Sequence, residues 1–381
     1  MKYAFENART YINGGFKICS TVFDERILGA DVDAGDATKI ELPDDATVLP
    51  GFIDGHVHGA GGADAMDGTA EALATISATL AKEGTTTFLA TTMTCPHEQI
   101  LAALDAVKKY RARGKAVGAR IAGVHLEGPF ISPEYKGAQA ETNIKTPSAE
   151  LFEEYNAACG YCIKTVTLAP ERENAAALIR AIVKSGATAS VGHSAATHAE
   201  VLEAVNCGAS AVTHTFNAQS PLKHREIGVA GSALLCDALT CELICDGIHV
   251  SPPAMRLLVK NKPHGKLVLI TDAIRAKGLS DGVSELGGQT VYVKNGEARL
   301  KDGTLAGSVL KMNDAIENLH DKAGAPIEYA IYCATIAPAT ALGIDGECGS
   351  ITELKRADFA VVDKNFDVIM TVVGGKIVYR R

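Results

Sequence analysis

The sequence predicts an α/β fold, a (β/α)₈ barrel of the TIM type with a small β-sandwich built from both termini. Three observations support this fold class. Apolar runs of strand length alternate with helical segments from about residue 48 to residue 335, which gives eight units over roughly 285 residues, the usual size of such a barrel. The segments before and after this region are short and strand-like. A chain of 381 residues that is 47% hydrophobic can bury a core of this size.

The two ends of the chain are rich in predicted strands. The N-terminal segment contains short alternating runs, the turn signal Asn13–Gly15 and no convincing helix. Near the other end, Asp358–Asp363 is a short apolar run, and Thr371–Tyr379 is typical of a hairpin with a Gly-Gly turn. The predicted domains are a small β-sandwich of residues 1–50 plus 336–381 and a (β/α)₈ barrel of residues 51–335.

Eight strands are predicted for the barrel, and helices with one apolar face lie between them. The predicted strands are Val48–His58, Thr85–Thr92, Ile121–Glu127, Thr165–Ala169, Thr188–His193, Ala211–His214, Cys241–Asp246 and Lys266–Asp272. The clearest predicted helices are Glu71–Glu83, Glu98–Arg113, Ala175–Ser185 and His198–Gly208. In such barrels the chemistry lies at the C-terminal ends of the strands, so the last residues of each strand indicate the site.

Composition and charge exclude several classes of function. The net charge of -8 argues against a general nucleic-acid or membrane surface, so an anionic ligand needs a local basic site. We find no signal-peptide core and no run of membrane-spanning length. Ten cysteines without a secretory signal indicate reduced thiols and a cytoplasmic location. Cys159 and Cys162 have the spacing of a redox or zinc motif, but a helix-to-strand turn is the simpler interpretation.

The segment Gly51–Gly59 carries the most informative motif, two histidines separated by one residue. Because side chains alternate along a strand, His56 and His58 point to the same face, at the strand's C-terminal end. Neutral imidazoles placed in this way are good ligands for zinc or iron. The motif alone is weak, since two histidines also occur on surface strands by chance.

Further potential ligands end other predicted strands, at the same rim of the barrel. These residues are Glu127, His193, His214, Asp246, His249 and Asp272. Each has a structural alternative when taken alone: a helix-capping carboxylate, a neighbour of a helix N-terminus, or a core histidine. Together they predict a metal site, because one Glu and two His leave open the fourth position of a tetrahedral ion. His125 shares the face of Glu127 one layer deeper, so we expect it to support the ligands through hydrogen bonds.

Several of these motifs resemble those of one enzyme family over essentially the whole chain. The chain resembles the N-acetylglucosamine-6-phosphate deacetylases of the amidohydrolase superfamily. The resemblance depends on PGFIDGHVHG at Pro50–Gly59, HLEGPF at His125–Phe130, KGAQ at Lys136–Gln139, VGHS at Val191–Ser194, HTFNA at His214–Ala218, DGIH at Asp246–His249, ITDA at Ile270–Ala273 and TLAGS at Thr304–Ser308.

The resemblance implies a role for each matching residue. It implies the metal ligands Glu127, His193 and His214 and a catalytic acid/base at Asp272. Because this chain keeps His56 and His58, which some members replace, a second ion at these residues is open. The implied substrate contacts are Ala138, Gln139, Asn217, Ala218, Arg225, His249, Leu305, Ala306, Gly307 and Ser308. Some members carry His at the position of Gln139.

The implied chemistry agrees with the residue types. A divalent ion activates its water, Asp272 takes the water's proton and passes it to the departing amine, and His249 hydrogen-bonds the acetyl oxygen. Arg225 lies in a basic loop after the sixth barrel strand, and its planar fork suits a phosphate dianion. A solvated basic loop is the structural alternative for this segment.

The resemblance therefore implies a cytoplasmic homodimer that deacetylates N-acetyl-D-glucosamine 6-phosphate in amino-sugar catabolism, with zinc or iron bound. It implies one firmly held ion per chain. Three alternatives remain: the galactosamine epimer as substrate, a cyclic-amide hydrolase, and a non-catalytic scaffold. The cyclic-amide enzymes use a modified lysine at the rim end of the fourth strand, whereas Lys164 lies at the opposite end. A scaffold predicts the loss of Asp272 or of a ligand, and all are present.

Overall fold

The computed structural model describes residues 1–114 and 117–381. The strands in chain order are β1 (Tyr3–Ile12), β2 (Gly15–Phe23), β3 (Ile27–Ala30), β4 (Thr38–Lys39), β5 (Thr47–Pro50), β6 (Phe52–Val57), β7 (Gly59–Ala60), β8 (Ala63–Asp64), β9 (Thr85–Thr91), β10 (Arg120–Glu127), β11 (Ile163–Leu168), β12 (Thr188–Val191), β13 (Ala211–Val212), β14 (Thr240–Ile244), β15 (Leu267–Ile270), β16 (Gly282–Leu286), β17 (Gln289–Lys294), β18 (Glu297–Arg299), β19 (Phe359–Val362), β20 (Val368–Val373) and β21 (Lys376–Arg380).

The helices lie mainly between the strands from β6 onward. They are α1 (Ala70–Ala81), α2 (His97–Ala112), α3 (Ala149–Ala158), α4 (Ala175–Lys184), α5 (His198–Asn206), α6 (Gly228–Leu235), α7 (Pro252–Asn261), α8 (Met312–Asp321), α9 (Ile327–Ala334) and α10 (Ile336–Ala341), with short 3₁₀ helices at Ala65–Asp67 and Glu141–Asn143. Local chemistry explains their bounds. For example, Thr197 and Glu200 form a capping box at the start of α5. The four clearest predicted helices agree with α1, α2, α4 and α5 to within two residues.

Eight parallel strands form the barrel, in the order β6, β9, β10, β11, β12, β13, β14 and β15. One helix lies between each consecutive pair of these strands, and α8 follows the last one. The ring closes between β6 and the residues after β15, where the Asp272 amide donates to the His56 carbonyl at 2.9 Å. The predicted (β/α)₈ fold class is confirmed, and the C-terminal ends of all eight strands face one rim.

Both termini contribute to a second sheet, whose strand order is β21-β20-β19-β5-β1-β2-β3, with β4 paired to β1. The rings of Phe23 in β2 and Phe359 in β19 are 4.9 Å apart. In a flat sheet the three strand spacings between them would separate the rings by about 14 Å. The sheet therefore curls around a core of its own, which includes Phe5, as the prediction of a sandwich from both termini requires. The division at residues 50 and 336 stays a prediction, and α10 contacts β6 and β15.

The prediction of one continuous first barrel strand, Val48–His58, is wrong. The segment consists of β5, which belongs to the terminal sheet, and β6, which belongs to the barrel. The chain passes between the sheets at Gly51, where an added Cβ would lie 2.2 Å from Oγ1 of Thr86. Only glycine allows this approach, so the break follows from close packing against the barrel.

A three-stranded antiparallel sheet, β16–β18, is inserted between β15 and α8, and the sequence analysis did not predict it. Its hairpin turns contain Gly287-Gly288 and Asn295-Gly296, which are the signals that could have revealed it. The side chain of Gln289 donates to the Ala138 carbonyl, so the insertion contacts a loop at the barrel rim. Across the described residues, every helix is too short or too polar to cross a membrane.

Candidate metal centre and active site

The predicted ligands lie at the barrel rim, but three of them follow their strands rather than end them. His193, His214 and Asp272 each come two residues after the last residue of β12, β13 and β15. Their φ angles are 48°, 28° and 50°, in the left-handed region that non-glycine residues rarely adopt. The predicted strands Thr188–His193, Ala211–His214 and Lys266–Asp272 therefore run too far. Strained backbone of this kind is common at functional sites.

Glu127, His193 and His214 form the first group of potential ligands. Oε1 of Glu127 lies 3.2 Å from Nε2 of His193 and 3.1 Å from Nε2 of His214, and the two nitrogens are 3.1 Å apart. Ligands at 2.0–2.2 Å from a tetrahedral ion lie about 3.4 Å from one another, so these atoms fit three corners of one site. All three residues line the cavity described below.

The tautomer of His193 supports this interpretation. Its Nδ1 lies 2.8 Å from the Tyr135 carbonyl, which can only accept a hydrogen bond. The proton of neutral His193 is therefore on Nδ1, and the lone pair of Nε2 faces the carboxylate of Glu127. A lone pair opposite an anion is unfavourable unless a cation lies between them. The residues of this group thus fit a divalent cation.

His56, His58 and Asp272 form a second group beside the first. Oδ1 of Asp272 lies 3.4 Å from Nε2 of His56 and 3.3 Å from Nε2 of His58. Glu127 contacts both groups, because its Oε1 lies 3.4 Å from His56 and its Oε2 lies 3.2 Å from His58. Nε2 of His56 is buried without a hydrogen-bond partner, which also suits a metal ligand.

The charge balance of the two ligand groups also indicates a bound cation. The buried carboxylates Glu127, Glu242 and Asp272 pair only with histidines among the described residues. Burial alone would raise the pKa of Asp272, but protonated His56 and His58 outweigh it and hold that pKa below its usual value. When both rings are neutral, as metal ligands are, the buried anions need another source of positive charge, and a divalent cation supplies it.

A cavity of about 320 Å³ opens onto both groups. Seven of the predicted substrate contacts line it: Ala138, Gln139, Asn217, Ala218, His249, Leu305 and Gly307. Ala306 and Ser308 are buried outside this lining, and the Ser308 amide donates to the Asp272 carbonyl at 2.8 Å. Arg225 is exposed in the loop after β13 and is not among the lining residues.

Gln139 is already engaged by the protein. Its Nε2 donates to Oε2 of Glu127 at 2.8 Å, and its Oε1 accepts the Thr94 amide at 2.8 Å. The side chain therefore orients a metal ligand while it lines the cavity. His249 is oriented in a similar way, because its Nδ1 lies 2.6 Å from Oδ2 of Asp246. This contact explains why Asp246 stands at the rim.

His125 has the supporting position that the sequence predicts. Its Nδ1 lies 3.2 Å from the Gly55 carbonyl and its Nε2 lies 2.7 Å from Oγ1 of Thr167. Burial, and next the charge of His56, lowers the pKa of His125 to about 3, so the ring is neutral. Since both nitrogens have protein partners, the ring supports the site without binding a metal.

Sequence reasoning missed one carboxylate and part of the cavity wall. Glu242 lies inside β14, where its Oε2 is 3.2 Å from Nδ1 of His56. A charged residue in the middle of a buried strand was the available signal. The unpredicted lining residues are Met93, Glu134, Tyr135, Gly137, Leu286 and Thr304.

The remaining predicted motif, Cys159 and Cys162, lies at the turn between α3 and β11. The Cys162 amide donates to Sγ of Cys159 at 3.1 Å, and both side chains are buried. The arrangement is that of the helix-to-strand turn that the sequence analysis gave as the simpler interpretation.

Fold and site together define a class, the hydrolases that hold a divalent cation at the rim of a (β/α)₈ barrel. A profile of the amidohydrolase family matches residues 47–378, and the chain belongs to this family. An N-acetylglucosamine-6-phosphate deacetylase of Bacillus subtilis is 43% identical over 343 residues, which cover 90% of this chain and 87% of that protein.

Two further relatives are informative. An N-acetylgalactosamine-6-phosphate deacetylase of Escherichia coli O157:H7 is 36% identical over 334 residues, 87% of this chain and 88% of that one. The crystal structure of N-acetylglucosamine-6-phosphate deacetylase from Pasteurella multocida matches with a TM-score of 0.93 and 32% identity, and it covers 100% of both chains.

Proposed function

We propose that this protein hydrolyses the acetamide of N-acetyl-D-glucosamine 6-phosphate to D-glucosamine 6-phosphate and acetate, in the amino-sugar catabolism of the cytoplasm. The observation that carries the proposal is the Glu127, His193 and His214 group beside Asp272 in one cavity. The relatives from Bacillus subtilis and Pasteurella multocida bear the name of this activity.

The cation is zinc or iron. Glu127, His193 and His214 would hold one ion firmly, and His56 and His58 would hold a second one more weakly. A bound divalent ion supplies a nucleophile at neutral pH and polarises the acetyl carbonyl.

Asp272 moves the proton. Its carboxylate lies 3.4 Å from Nε2 of His56 and 3.3 Å from Nε2 of His58, beside the candidate metal ligands, where it can accept a proton from the attacking water. It then protonates the sugar nitrogen as the amide bond breaks. The hydrogen bonds that its backbone makes to His56 and Ser308 hold this strained residue at the rim. His249, oriented by Asp246, donates to the acetyl oxygen as negative charge develops there.

The sugar lies against Ala138, Asn217, Ala218, Leu305 and Gly307, while Ala306 and Ser308 support the loop 304–308 from behind. Gln139 contributes mainly through Glu127, because its amide is engaged by the protein. The apolar residues Met93 and Leu286 complete the wall of the cavity.

The phosphate requires a second copy of the chain. None of the described residues that line the cavity is Lys or Arg, yet a phosphate dianion needs a cation or several N–H donors. Arg225 is exposed in the loop after β13, outside its own cavity. We infer a homodimer in which Arg225 of each copy binds the phosphate in the other copy's site.

Acetate release from a panel of N-acetylhexosamines tests the proposal. The panel contains the glucosamine and galactosamine 6-phosphates, the two unphosphorylated sugars and the cyclic amide dihydroorotate. We expect the highest kcat/KM on N-acetyl-D-glucosamine 6-phosphate. A preference for the galactosamine epimer is the second candidate, because the Escherichia coli relative bears that name. Hydrolysis of the cyclic amide alone, or of nothing in the panel, contradicts the proposal.

A further inference from the structure

Glu242 is a buried carboxylate inside the barrel that the mechanism above does not use. It lies in β14 among Leu243 and other buried residues, and only 7% of it is exposed. Barrel interiors are usually filled by branched apolar side chains, and a buried charge is costly unless it is well paired. The partners of this carboxylate therefore indicate why it is there.

Among the described residues, both hydrogen-bonding contacts of the Glu242 carboxylate use the same oxygen. Oε2 lies 3.2 Å from Nδ1 of His56 and accepts the His214 amide at 3.1 Å. These residues belong to different ligand groups, since His56 lies with His58 and Asp272, whereas His214 lies with Glu127 and His193. One oxygen thus contacts both halves of the centre.

The contact with His56 determines which nitrogen of that ring is free. An ionised carboxylate only accepts hydrogen bonds, so Nδ1 of His56 carries the proton. In the neutral ring the lone pair is then on Nε2, which lies 3.4 Å from both Glu127 and Asp272 and has no hydrogen-bond partner. Glu242 therefore presents His56 to the second ion through Nε2.

The contact with His214 acts on the backbone. His214 has a φ of 28°, far from the ordinary conformations of a non-glycine residue. A hydrogen bond from its amide to a buried carboxylate helps to hold this strained conformation. That conformation places Nε2 of His214 at 3.1 Å from Glu127.

We propose that Glu242 is a positioning residue that couples the two halves of the metal centre, by fixing the tautomer of His56 and the backbone of His214. The inference rests on the metal-dependent chemistry proposed above. It goes beyond that chemistry because it assigns a role to a residue that is not itself among those lining the cavity.

Zn²⁺ binding to metal-free protein tests the role without any measurement of activity. We titrate the wild type and E242Q with Zn²⁺ in competition with a chromogenic chelator. The amide of Gln can donate to Nδ1 of His56 and so favours the wrong tautomer. Loss of such a supporting group typically lowers metal affinity about 10–100-fold, and we expect a loss of this size, with the weaker ion most affected.

A matched control separates this effect from the loss of any buried carboxylate. Glu83→Gln makes the same change at a buried residue that pairs with Lys277 and contacts none of the candidate ligands. We expect E83Q to bind Zn²⁺ as tightly as the wild type. Wild-type Zn²⁺ affinity in E242Q overturns the proposal.

If E242Q fails to fold, the wild type still provides a test. In the Zn²⁺-loaded protein labelled with ¹⁵N-histidine, the His56 ring should show a proton on Nδ1 and a metal-bound Nε2. A metal-bound Nδ1, or a proton on Nε2, overturns the proposal. These experiments measure Zn²⁺ binding and the state of the His56 ring, whereas the proposed function is tested by acetate release. The two proposals can therefore fail independently of each other.

Discussion

Single hydrogen bonds decide which atom of each ligand is available at this site. The Tyr135 carbonyl fixes His193, Glu242 fixes His56, and Gln139 orients Glu127. Each contact leaves the coordinating atom free and directed toward its neighbours. Supporting contacts of this type are a general feature of metal sites, and they raise both the basicity and the order of the ligands.

Metal content tests the first ligand group. Purified protein should contain about one tightly held divalent ion per chain, and His193→Ala or His214→Ala should lower both metal content and turnover. His58→Ala should remove only the ion that a chelator extracts first. His264→Ala is the control, because His264 is an exposed histidine that belongs to neither group of potential ligands.

Elemental analysis with and without a chelator provides the measurement. Active, chelator-insensitive protein without any transition metal would defeat the assignment of this group.

The proton shuttle is tested by Asp272→Asn. The variant keeps the shape of the side chain but cannot accept a proton, so turnover should fall by at least ~10²-fold. Metal content, folding and substrate affinity should persist, and the variant should retain intact N-acetylated sugar phosphate. If Asp272→Asn instead loses its metal and regains activity when metal is resupplied, Asp272 is chiefly a ligand, and the base is another residue.

The sequence predicts the position of the candidate ligands well, because each stands close to the end of a strand and the ends of parallel strands meet at one rim. Glu127, His193 and His214 could be recognised in this way. The partners of these residues could not, because they depend on packing between distant segments. Glu242 and His56, for example, are 186 residues apart in the chain. The sequence places Glu242 in a strand without indicating which residue it faces.

Among the secondary-structure elements, hydrophobic periodicity locates the helices and barrel strands but not all of their ends. The left-handed residues after β12, β13 and β15 stop the hydrogen-bonding ladder two residues earlier than the apolar pattern suggests. Tertiary packing at Gly51 divides one apolar run between two sheets. Hydrophobic periodicity predicts neither the early strand ends nor the break at Gly51, because both depend on contacts formed only in the folded chain.

A buried ion pair joins the turn after α1 to the segment after β15. Nζ of Lys277 contacts Oε1 of Glu83, and both residues are almost fully buried. Burial raises the pKa of Glu83 to about 7, although Lys277 opposes the shift. A carboxyl group whose pKa is higher in the folded state stabilises the fold at low pH, because the folded chain then binds more protons than the unfolded chain.

The contribution of Glu83 to the free energy of unfolding should therefore fall as the pH rises from about 4.5 to 7, and should be constant above that range. The free energy of unfolding of the wild type, measured relative to that of E83Q, should therefore decrease over this pH range by at most about 3 kcal/mol. Urea unfolding of both proteins at several pH values measures the difference. A difference that grows with pH would show that the charged pair stabilises the fold.

At the scale of the whole molecule, the proposed phosphate site includes Arg225 of a second copy of the chain. Arg225→Ala should weaken kcat/KM for the 6-phosphate sugar on the order of 10²-fold, as expected when one partner of a desolvated charge pair is truncated. Activity on the unphosphorylated sugar should barely change. Equal losses on both substrates would mean that Arg225 has a structural role instead.

Mixed dimers show whether Arg225 acts in the other copy. When Asp272→Asn chains are mixed with Arg225→Ala chains, half of the sites in each mixed dimer are intact if Arg225 crosses the interface. Activity on the phosphorylated sugar should then reappear on mixing. If Arg225 serves its own site, every site in the mixture is defective, and activity stays low.

The terminal sheet has a consequence for the order of events during synthesis. Pro50 of β5 pairs with Phe359 of β19, so one edge of β5 has no partner until the last part of the chain has left the ribosome. At translation rates of about 5–20 residues per second, the roughly 300 residues between them take about 15–60 seconds to make. An unpaired edge is a template for aggregation during that interval. Strand β5 is thus made long before its partner β19, and it is the segment that a chaperone would best protect.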